Sequence, residues 1–135
     1  MAKTKHAKIT RSPLVAIVED DAALRDATAA LLRAAGYGSR SVPTAQQFLR
    51  SRLGRRARCL ILDMQLPDMT GLELLERMVQ RRIGVPTILV TAAADPDGEL
   101  RANARRAGAL TTLHKPFDAE EMLAAVRAAV GAKRR

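Results

Sequence analysis

Carboxylate side chains stand directly after two of the apolar runs in this sequence. Glu19 and Asp20 follow the run 14–18, and Asp63 follows the run 59–62. Carboxylates that lie close together repel one another unless a cation compensates them. A set of oxygen ligands without Cys or His suits Mg²⁺, which needs few carboxylates and keeps several of its waters. These residue types predict a Mg²⁺ site if the fold brings the two runs together.

Thr91 follows the mostly apolar segment 85–90, and Lys115 follows a weaker strand-like segment at 110–113. These two residues complete a set suited to phosphoryl transfer. Catalysis of this reaction consists mostly of positioning the groups and stabilising charge on the phosphoryl oxygens. Asp63 is the candidate nucleophile, and its product would be an aspartyl phosphate. Lys115 would pair with one phosphoryl oxygen, and Thr91 would hydrogen-bond to another. Asp20 and Asp63 would hold the metal, with Glu19 acting directly or through water.

Strands and helices are predicted to alternate along the chain. The apolar runs are short and continuous, as expected for strands covered on both faces, and helical spacing of apolar residues follows them. Predicted strands lie at 14–18, 39–42, 59–62, 85–90 and 110–113. The segment 39–42 is mostly polar and suits an edge strand, and 110–113 is a weak strand. Five strand–helix repeats imply an α/β domain with a parallel sheet between helices, which binds ligands at the carboxyl ends of its strands.

Helix starts and buried faces are predicted from capping residues and periodicity. Asp95 followed by Pro96 predicts the start of the fourth helix. Thr44 and Gln47 have the spacing of a capping box at the start of the second helix. The third helix begins near Gly71 and is predicted to bury Leu72, Leu75 and Val79.

Four motifs at the predicted strand ends resemble those of response regulator receiver domains, whose fold is chemotaxis-regulator-like. They are VEDD at 18–21, LDMQLPDMTGLELL at 62–75, VTA at 90–92 and KPF at 115–117. Three further segments, GY, TAQQFL and TAAAD, are most similar to the nitrogen-fixation regulator branch. The resemblance implies a flavodoxin-like, doubly wound sheet of five parallel strands in the order 2-1-3-4-5, with five helices.

The resemblance assigns the family's roles to the five candidate residues, with Asp63 as the phosphorylated one. It adds the backbone carbonyl of Gln65 as a metal ligand, and it implies a cis bond at Lys115–Pro116. Receivers commonly place an aromatic residue three positions before the lysine, where this chain has Thr112. The relay that passes from the switch hydroxyl of Thr91 to the outer face is therefore expected to be altered.

Length and composition predict one domain with basic ends. A chain of 135 residues suits a single domain, which we place at 13–131, between basic tails at 1–12 and 132–135. The aliphatic runs are far shorter than the ~20 residues of a membrane span, and no secretory signal is recognised, so a cytoplasmic location is expected. The single cysteine, Cys59, cannot form an internal disulfide and is expected to be buried.

The formal net charge of +9 is concentrated in the tails and in the loop 50–58. With one Tyr and two Phe, the chain has almost nothing on which bases could stack. We interpret the charge as solvated tails and a basic surface loop. Direct nucleic-acid binding is not expected from the sequence.

The leading hypothesis is a stand-alone receiver of a two-component signalling system. It would take a phosphoryl group from a sensor histidine kinase or phosphotransfer protein and signal through protein contacts. It would not be an enzyme, beyond catalysing its own phosphorylation and dephosphorylation. A homodimer through the fourth helix, fifth strand and fifth helix is a further expectation.

Three alternatives differ in the activity that they predict. In the first, the chain would be a receiver fragment of a DNA-binding transcription factor. In the second, it would be an Asp-nucleophile phosphohydrolase. The second is disfavoured because Gln65 stands where such enzymes usually have a second carboxylate. The third is a basic nucleic-acid-binding module that is independent of Asp63 and depends on the tails.

Overall fold

Five parallel strands form one sheet in the computed structural model of the chain, which describes residues 12–134. The strands are β1 (Leu14–Val18), β2 (Gly38–Val42), β3 (Cys59–Asp63), β4 (Thr87–Thr91) and β5 (Thr111–His114). Their order across the sheet is β2-β1-β3-β4-β5. This confirms the predicted order, and the short polar β2 lies at an edge of the sheet.

Six helices, one more than predicted, cover the sheet in the described part of the chain. They are α1 (Ala22–Ala34), α2 (Ala45–Arg50), α3 (Leu53–Arg56), α4 (Gly71–Gln80), α5 (Glu99–Ala107) and α6 (Ala119–Gly131). The additional helix, α3, is a single turn in the arginine-rich loop. It forms because Leu53 and Gly54 are buried against the core, so this loop packs onto the domain. Within residues 12–134, no helix has the length and apolarity that crossing a bilayer would require.

The core consists of one apolar layer on each face of the sheet. Alternate residues of a strand point to opposite faces, so β1 supplies Ala16 and Val18 to one layer and Val15 and Ile17 to the other. The first layer includes residues of α2, α3, α4 and α5, and the second includes residues of α1 and α6. Cys59 is fully buried in the second layer, and this burial raises the pKa of its thiol to about 12. Both faces of the sheet are covered, as the continuous apolar strands predicted.

The buried face of α4 differs from the predicted one. Leu74, Leu75 and Met78 are fully buried, whereas the side chain of Val79 is 52% exposed. Each residue of a helix is turned by about 100° from the one before, so Met78 falls between Leu74 and Leu75 on the buried face, whereas Val79 falls beyond Leu75 and outside that face. The prediction that Val79 lies inward was therefore wrong.

The start of α5 was also predicted three residues too early, with Pro96 as the first helical residue. The helix begins at Glu99, after Gly98, which adopts a left-handed conformation with φ of 73°. Asp95 still caps this helix, because its carboxylate accepts hydrogen bonds from the backbone N–H groups of Leu100 (2.9 Å) and Arg101 (3.1 Å). Residues 95–98 form a turn instead of the first helical turn, and the capping carboxylate reaches across it.

The two predicted tails differ in how far the structure describes them. The tail at 1–12 lies outside the described residues except for its last position. In the tail at 132–135, Arg134 donates hydrogen bonds of 2.7 Å to the carbonyls of Gly54 and Ala57. The described part of this segment therefore contacts the domain through α3 and the residue after it.

Candidate functional site

The loop after β1 presents two carboxylates in a fixed arrangement. Glu19 is 6% exposed, and its carboxylate accepts a hydrogen bond from the backbone N–H of Asp21 (3.1 Å). Asp21 caps α1 by accepting from the N–H of Leu24 (3.1 Å). The guanidinium of Arg25 donates to the carbonyls of Glu19 (2.9 Å) and Asp20 (3.1 Å). Arg25, which the sequence analysis did not single out, thus holds this loop against the first turns of α1.

Asp63 and Lys115 meet at the carboxyl edge of the sheet. Asp63 is the last residue of β3 and is 6% exposed. The Nζ atom of Lys115 lies 3.2 Å from Oδ1 of Asp63 and 3.5 Å from Oε1 of Glu19. The backbone N–H of Lys115 donates to the carbonyl of Thr91 (2.7 Å), which fixes the lysine beside the end of β4. One amine therefore faces two nearly buried carboxylates from different strand ends.

The three predicted metal-binding acids form one cluster. Glu19, Asp20 and Asp63 each present a carboxylate oxygen within 4.8 Å of the others. Burial raises the pKa of Glu19, and repulsion by the Asp63 carboxylate raises it further, against the opposing effects of the Asp21 N–H and Lys115. One ammonium does not balance three carboxylates, and hard oxygen donors at this separation suit a divalent cation such as Mg²⁺. The residues present fit the predicted metal.

The remaining predicted site residues lie around this cluster. Thr91 is 2% exposed, and its hydroxyl oxygen accepts from the N–H of Ala93 (3.0 Å), which leaves its own proton free to donate. Gln65 lies in the loop after Asp63, where it forms a bridge with Thr70. The predicted cis bond at Lys115–Pro116 is present. The role of the Gln65 carbonyl as a metal ligand stays a prediction.

Thr112, the residue at the usual aromatic position, lies in β5 at the rim of a surface cleft. This cleft of about 220 Å³ is also lined by Arg101 and Arg105 of α5. Thr112 is half-buried, and the neighbouring His114 is exposed. A wider surface cleft, about 590 Å³ between α4 and α5, contains none of the predicted site residues. The carboxylate cluster, and not this cleft, is therefore the candidate site.

Asp68 connects the loop after β3 to the start of α2. Its carboxylate accepts hydrogen bonds from the backbone N–H groups of Ala45 (3.1 Å) and Gln46 (2.9 Å). Thr44 accepts from the N–H of Gln47, so it provides only half of the predicted capping box. Partial burial alone would raise the pKa of Asp68, but these backbone N–H donors outweigh it and lower the pKa.

We expect Asp68→Ala to lower the free energy of unfolding by about 1 kcal/mol at neutral pH, because two helix N–H groups lose their acceptor. Since the folded-state pKa of Asp68 lies below its ordinary value of 3.8, its stabilisation is present above that value and is lost as the pH falls through the folded-state pKa. Urea unfolding at neutral and acidic pH measures this difference. Asp97→Ala, at an exposed turn residue, is the control. A difference that does not shrink in acid would contradict the assignment.

Gly71, the first residue of α4, lies against the backbone at the end of β3. A Cβ atom at this position would approach the carbonyl oxygen of Asp63 to 2.9 Å, Cα of Met64 to 3.1 Å and Cδ1 of Leu89 to 2.8 Å. The N–H of Gly71 also donates to the carbonyl of Met64 (2.7 Å). Glycine is required here by close packing of α4 on the end of β3, and not only by the turn that the sequence indicated.

We therefore expect Gly71→Ala to lower the free energy of unfolding by about 2 kcal/mol, because the backbone atoms that its methyl group would meet cannot move independently. Urea denaturation at neutral pH measures this change. Gly131→Ala, at the last residue of α6, is the matched control, since a Cβ atom there would meet nothing within 4 Å. Equal stability of Gly71→Ala and the unmodified chain would show that α4 does not pack as closely as described.

The comparisons with known proteins agree with the fold and with the strand-end motifs. The family model of the response regulator receiver domain matches residues 15–127. The chain is 33% identical to the transcriptional regulatory protein FixJ of Bradyrhizobium diazoefficiens over 114 residues, which is 84% of this chain and 55% of that protein. It is 32% identical to the response regulator protein TodT of Pseudomonas putida over 120 residues, which is 89% of this chain and 52% of that protein. The chain thus spans about half the length of these curated relatives.

The fold is also similar to solved structures. A response regulator receiver domain protein (CheY-like) from Methanospirillum hungatei superimposes with a TM-score of 0.77 at 29% sequence identity. This similarity covers 88% of the present chain and 94% of that structure. Sequence and structure therefore point to the same family.

Proposed function

The chain belongs to the response regulator receiver domains, and we propose on this basis that Asp63 is the residue on which it carries a phosphoryl group. Receiver domains act in two-component signalling, and the fold described above is theirs. The observation that carries the proposal is the meeting of Asp63 with Lys115 at 3.2 Å, beside Glu19 and Asp20. A carboxylate that merely ended a strand would not need a partly buried amine from a second strand end and two further acids from a third.

In the proposed reaction, a carboxylate oxygen of Asp63 bonds to the phosphorus of the donor. The bond between phosphorus and the donor's leaving atom breaks, and the leaving group keeps that electron pair. Lys115 stabilises negative charge on the phosphoryl oxygens, and Thr91 donates its hydroxyl proton to one of them. The Lys115 amine already faces Asp63, so this stabilisation needs little rearrangement.

The acidic cluster would hold Mg²⁺ through Asp20 and Asp63, with Glu19 acting directly or through water and the carbonyl of Gln65 as a further ligand. When bound, the metal would compensate the three carboxylates and supply positive charge beside the phosphoryl oxygens. The chemistry of the donor set supports this assignment, because all the contributed atoms are oxygens.

Signalling is proposed to pass from Thr91 to the surface formed by α5, β5 and α6. A sensor histidine kinase or a phosphotransfer protein would supply the phosphoryl group, and a protein partner or a second copy of the chain would recognise that surface. Thr112 occupies the position of the aromatic switch residue, so the change at Thr91 would reach the surface through a smaller side chain. This supports an altered relay.

The proposed function is tested by incubation with acetyl phosphate and Mg²⁺, followed by intact-mass measurement. We expect the mass of the chain to rise by one phosphoryl group, and we expect chelation of divalent cations with EDTA to prevent the rise. If neither acetyl phosphate nor a phosphorylated histidine kinase adds mass in the presence of Mg²⁺, the proposal is wrong.

A second candidate is the receiver part of a longer DNA-binding transcription factor. The observation that favours it is that relatives named as transcriptional regulators are about twice as long as the matched region. In that case, phosphorylation of Asp63 would act on an attached segment instead of a separate partner. The genomic coding sequence around this chain distinguishes the two, since a stop codon directly after Arg135 would favour the stand-alone form.

A further inference from the structure

Four segments that include or follow helix ends, at the amino edge of the sheet, contain basic residues and no acidic ones. In the segments 50–58, 77–86, 105–111 and 127–134 there is no Asp or Glu, although the chain has 14 of them. The helix dipole stabilises a cation near the C-terminal end of a helix, so about one basic residue at each such end is expected. The five arginines of the segment 50–58 exceed that requirement.

Hydrogen bonds gather several of these arginines into one cluster. The guanidinium of Arg55 donates to the carbonyl of Arg81 (3.3 Å), and that of Arg58 donates to the carbonyl of Val130 (3.3 Å). The bonds from Arg134 to Gly54 and Ala57 bring the end of the described chain to the same place. We define the basic cluster as Arg52, Arg55, Arg56, Arg58, Arg82 and Arg134, all of which are exposed.

No carboxylate compensates the basic cluster in the part of the chain that the structure describes. Both ion pairs found among residues 12–134 are made by Lys115, at the opposite edge of the sheet. Like charges held close together repel one another, and an external anion relieves this repulsion. Guanidinium groups present a planar fork of donors that matches phosphate oxygens, and a basic surface of this kind attracts polyanions.

The side-chain types of the basic cluster favour double-stranded nucleic acid over other polyanions. It contains no aromatic side chain, so it offers no platform on which single-stranded bases could stack. The apolar residues beside its arginines in α3 and directly after it, Leu53 and Ala57, are buried, so they cannot insert into a lipid surface. What remains is a set of exposed guanidinium groups suited to phosphate contacts that carry no sequence information.

We propose that the basic cluster binds the sugar–phosphate backbone of duplex DNA without sequence preference. The sequence indicated a solvated basic loop, because the segments that the fold joins are far apart in the chain. The inference is independent of the proposed function, since the cluster lies at the amino edge of the sheet and Asp63 at the carboxyl edge. It also differs from the basic-module alternative, which depends on the two tails, because five of the six residues of the basic cluster lie outside them.

The test measures fluorescence anisotropy of a short labelled duplex of arbitrary sequence, titrated with the full chain at several salt concentrations. The cluster variant carries Arg52→Gln, Arg56→Gln and Arg82→Gln, three residues whose side chains donate no hydrogen bond in the described structure. The matched control carries Lys3→Gln, Lys5→Gln and Lys8→Gln, which removes the same charge from the tail. Circular dichroism establishes that both variants are folded.

We expect the cluster variant to bind about tenfold more weakly than the unmodified chain at about 50 mM salt. The dependence of log affinity on log salt concentration should become less steep, by about one unit for each phosphate that the variant no longer neutralises. The tail control is expected to weaken much less. No binding by the unmodified chain, equal weakening in both variants, or unchanged affinity of the cluster variant would overturn the proposal. Cluster-dependent binding to phosphatidylserine vesicles without binding to the duplex would overturn it in favour of a membrane surface.

Discussion

Replacement of Asp63 by Asn is expected to abolish the gain of a phosphoryl group from acetyl phosphate. Asn has nearly the same shape, so the packing at the end of β3 should be preserved. Its amide is a much weaker nucleophile than a carboxylate, and it removes one of the three charges of the acidic cluster. Intact-mass measurement in the presence of Mg²⁺ should show the phosphorylated species for the unmodified chain and none for the variant.

A matched control separates the loss of the phosphoacceptor from a general loss of acidic charge. Asp26 is an exposed acid of α1 that does not belong to the cluster. Asp26→Asn should gain mass as fast as the unmodified chain. A phosphoryl group on Asp63→Asn at the normal rate would mean that another residue is the phosphoacceptor.

Lys115→Ala is expected to slow phosphorylation by about 100-fold, because it removes the amine that stabilises charge on the phosphoryl oxygens. The substitution also leaves Glu19 and Asp63 without the cation that lies 3.5 Å and 3.2 Å from them. A time course of intact mass with acetyl phosphate and Mg²⁺ gives the rate. Circular dichroism should show a folded chain, since the backbone hydrogen bond of residue 115 to Thr91 does not depend on the side chain.

The conservative variant Lys115→Arg tests whether positive charge alone is sufficient. It should restore only part of the rate, because a guanidinium is larger and has a different donor geometry from an ammonium. If Lys115→Ala were phosphorylated as fast as the unmodified chain, Lys115 would serve only to pair the buried carboxylates.

The grouping of the site residues could be predicted because a parallel sheet brings the carboxyl ends of its strands to one edge. Glu19, Asp63 and Lys115 are far apart in the chain, but each ends or follows a predicted strand. Recognising the strands was therefore enough to place these side chains together. The structure and the family match confirm the fold and the receiver class, while the individual roles of the residues stay predictions.

The contacts that support the site could not be predicted in the same way. Asp68 accepts from backbone groups 22 and 23 residues earlier in the chain, so no local capping pattern reveals it. Arg25 donates to backbone carbonyls, which every residue possesses. The crowding at Gly71 depends on how closely α4 approaches β3, and this distance is set by packing of the whole layer.

The buried face of α4 and the basic cluster could not be predicted for one shared reason: both depend on how the helices pack on the sheet. The periodicity of α4 allowed more than one buried face, and only packing against the sheet selects Met78 over Val79. The arginines of the basic cluster come from segments that are separated in the chain, so their proximity depends on how α3 and the end of α6 are placed. Sequence reasoning predicted the strands well and the relations between helices less well.

The central claim is that Asp63 carries the phosphoryl group, and its most direct test is to locate that group chemically. Borohydride reduces an acyl phosphate to an alcohol, which converts a phosphorylated aspartate into homoserine. After phosphorylation with acetyl phosphate and Mg²⁺, reduction and proteolysis, peptide mass spectrometry should find homoserine at position 63 and nowhere else. Reduction at Glu19 or Asp20 instead, or a phosphoryl group on His114, would contradict the account.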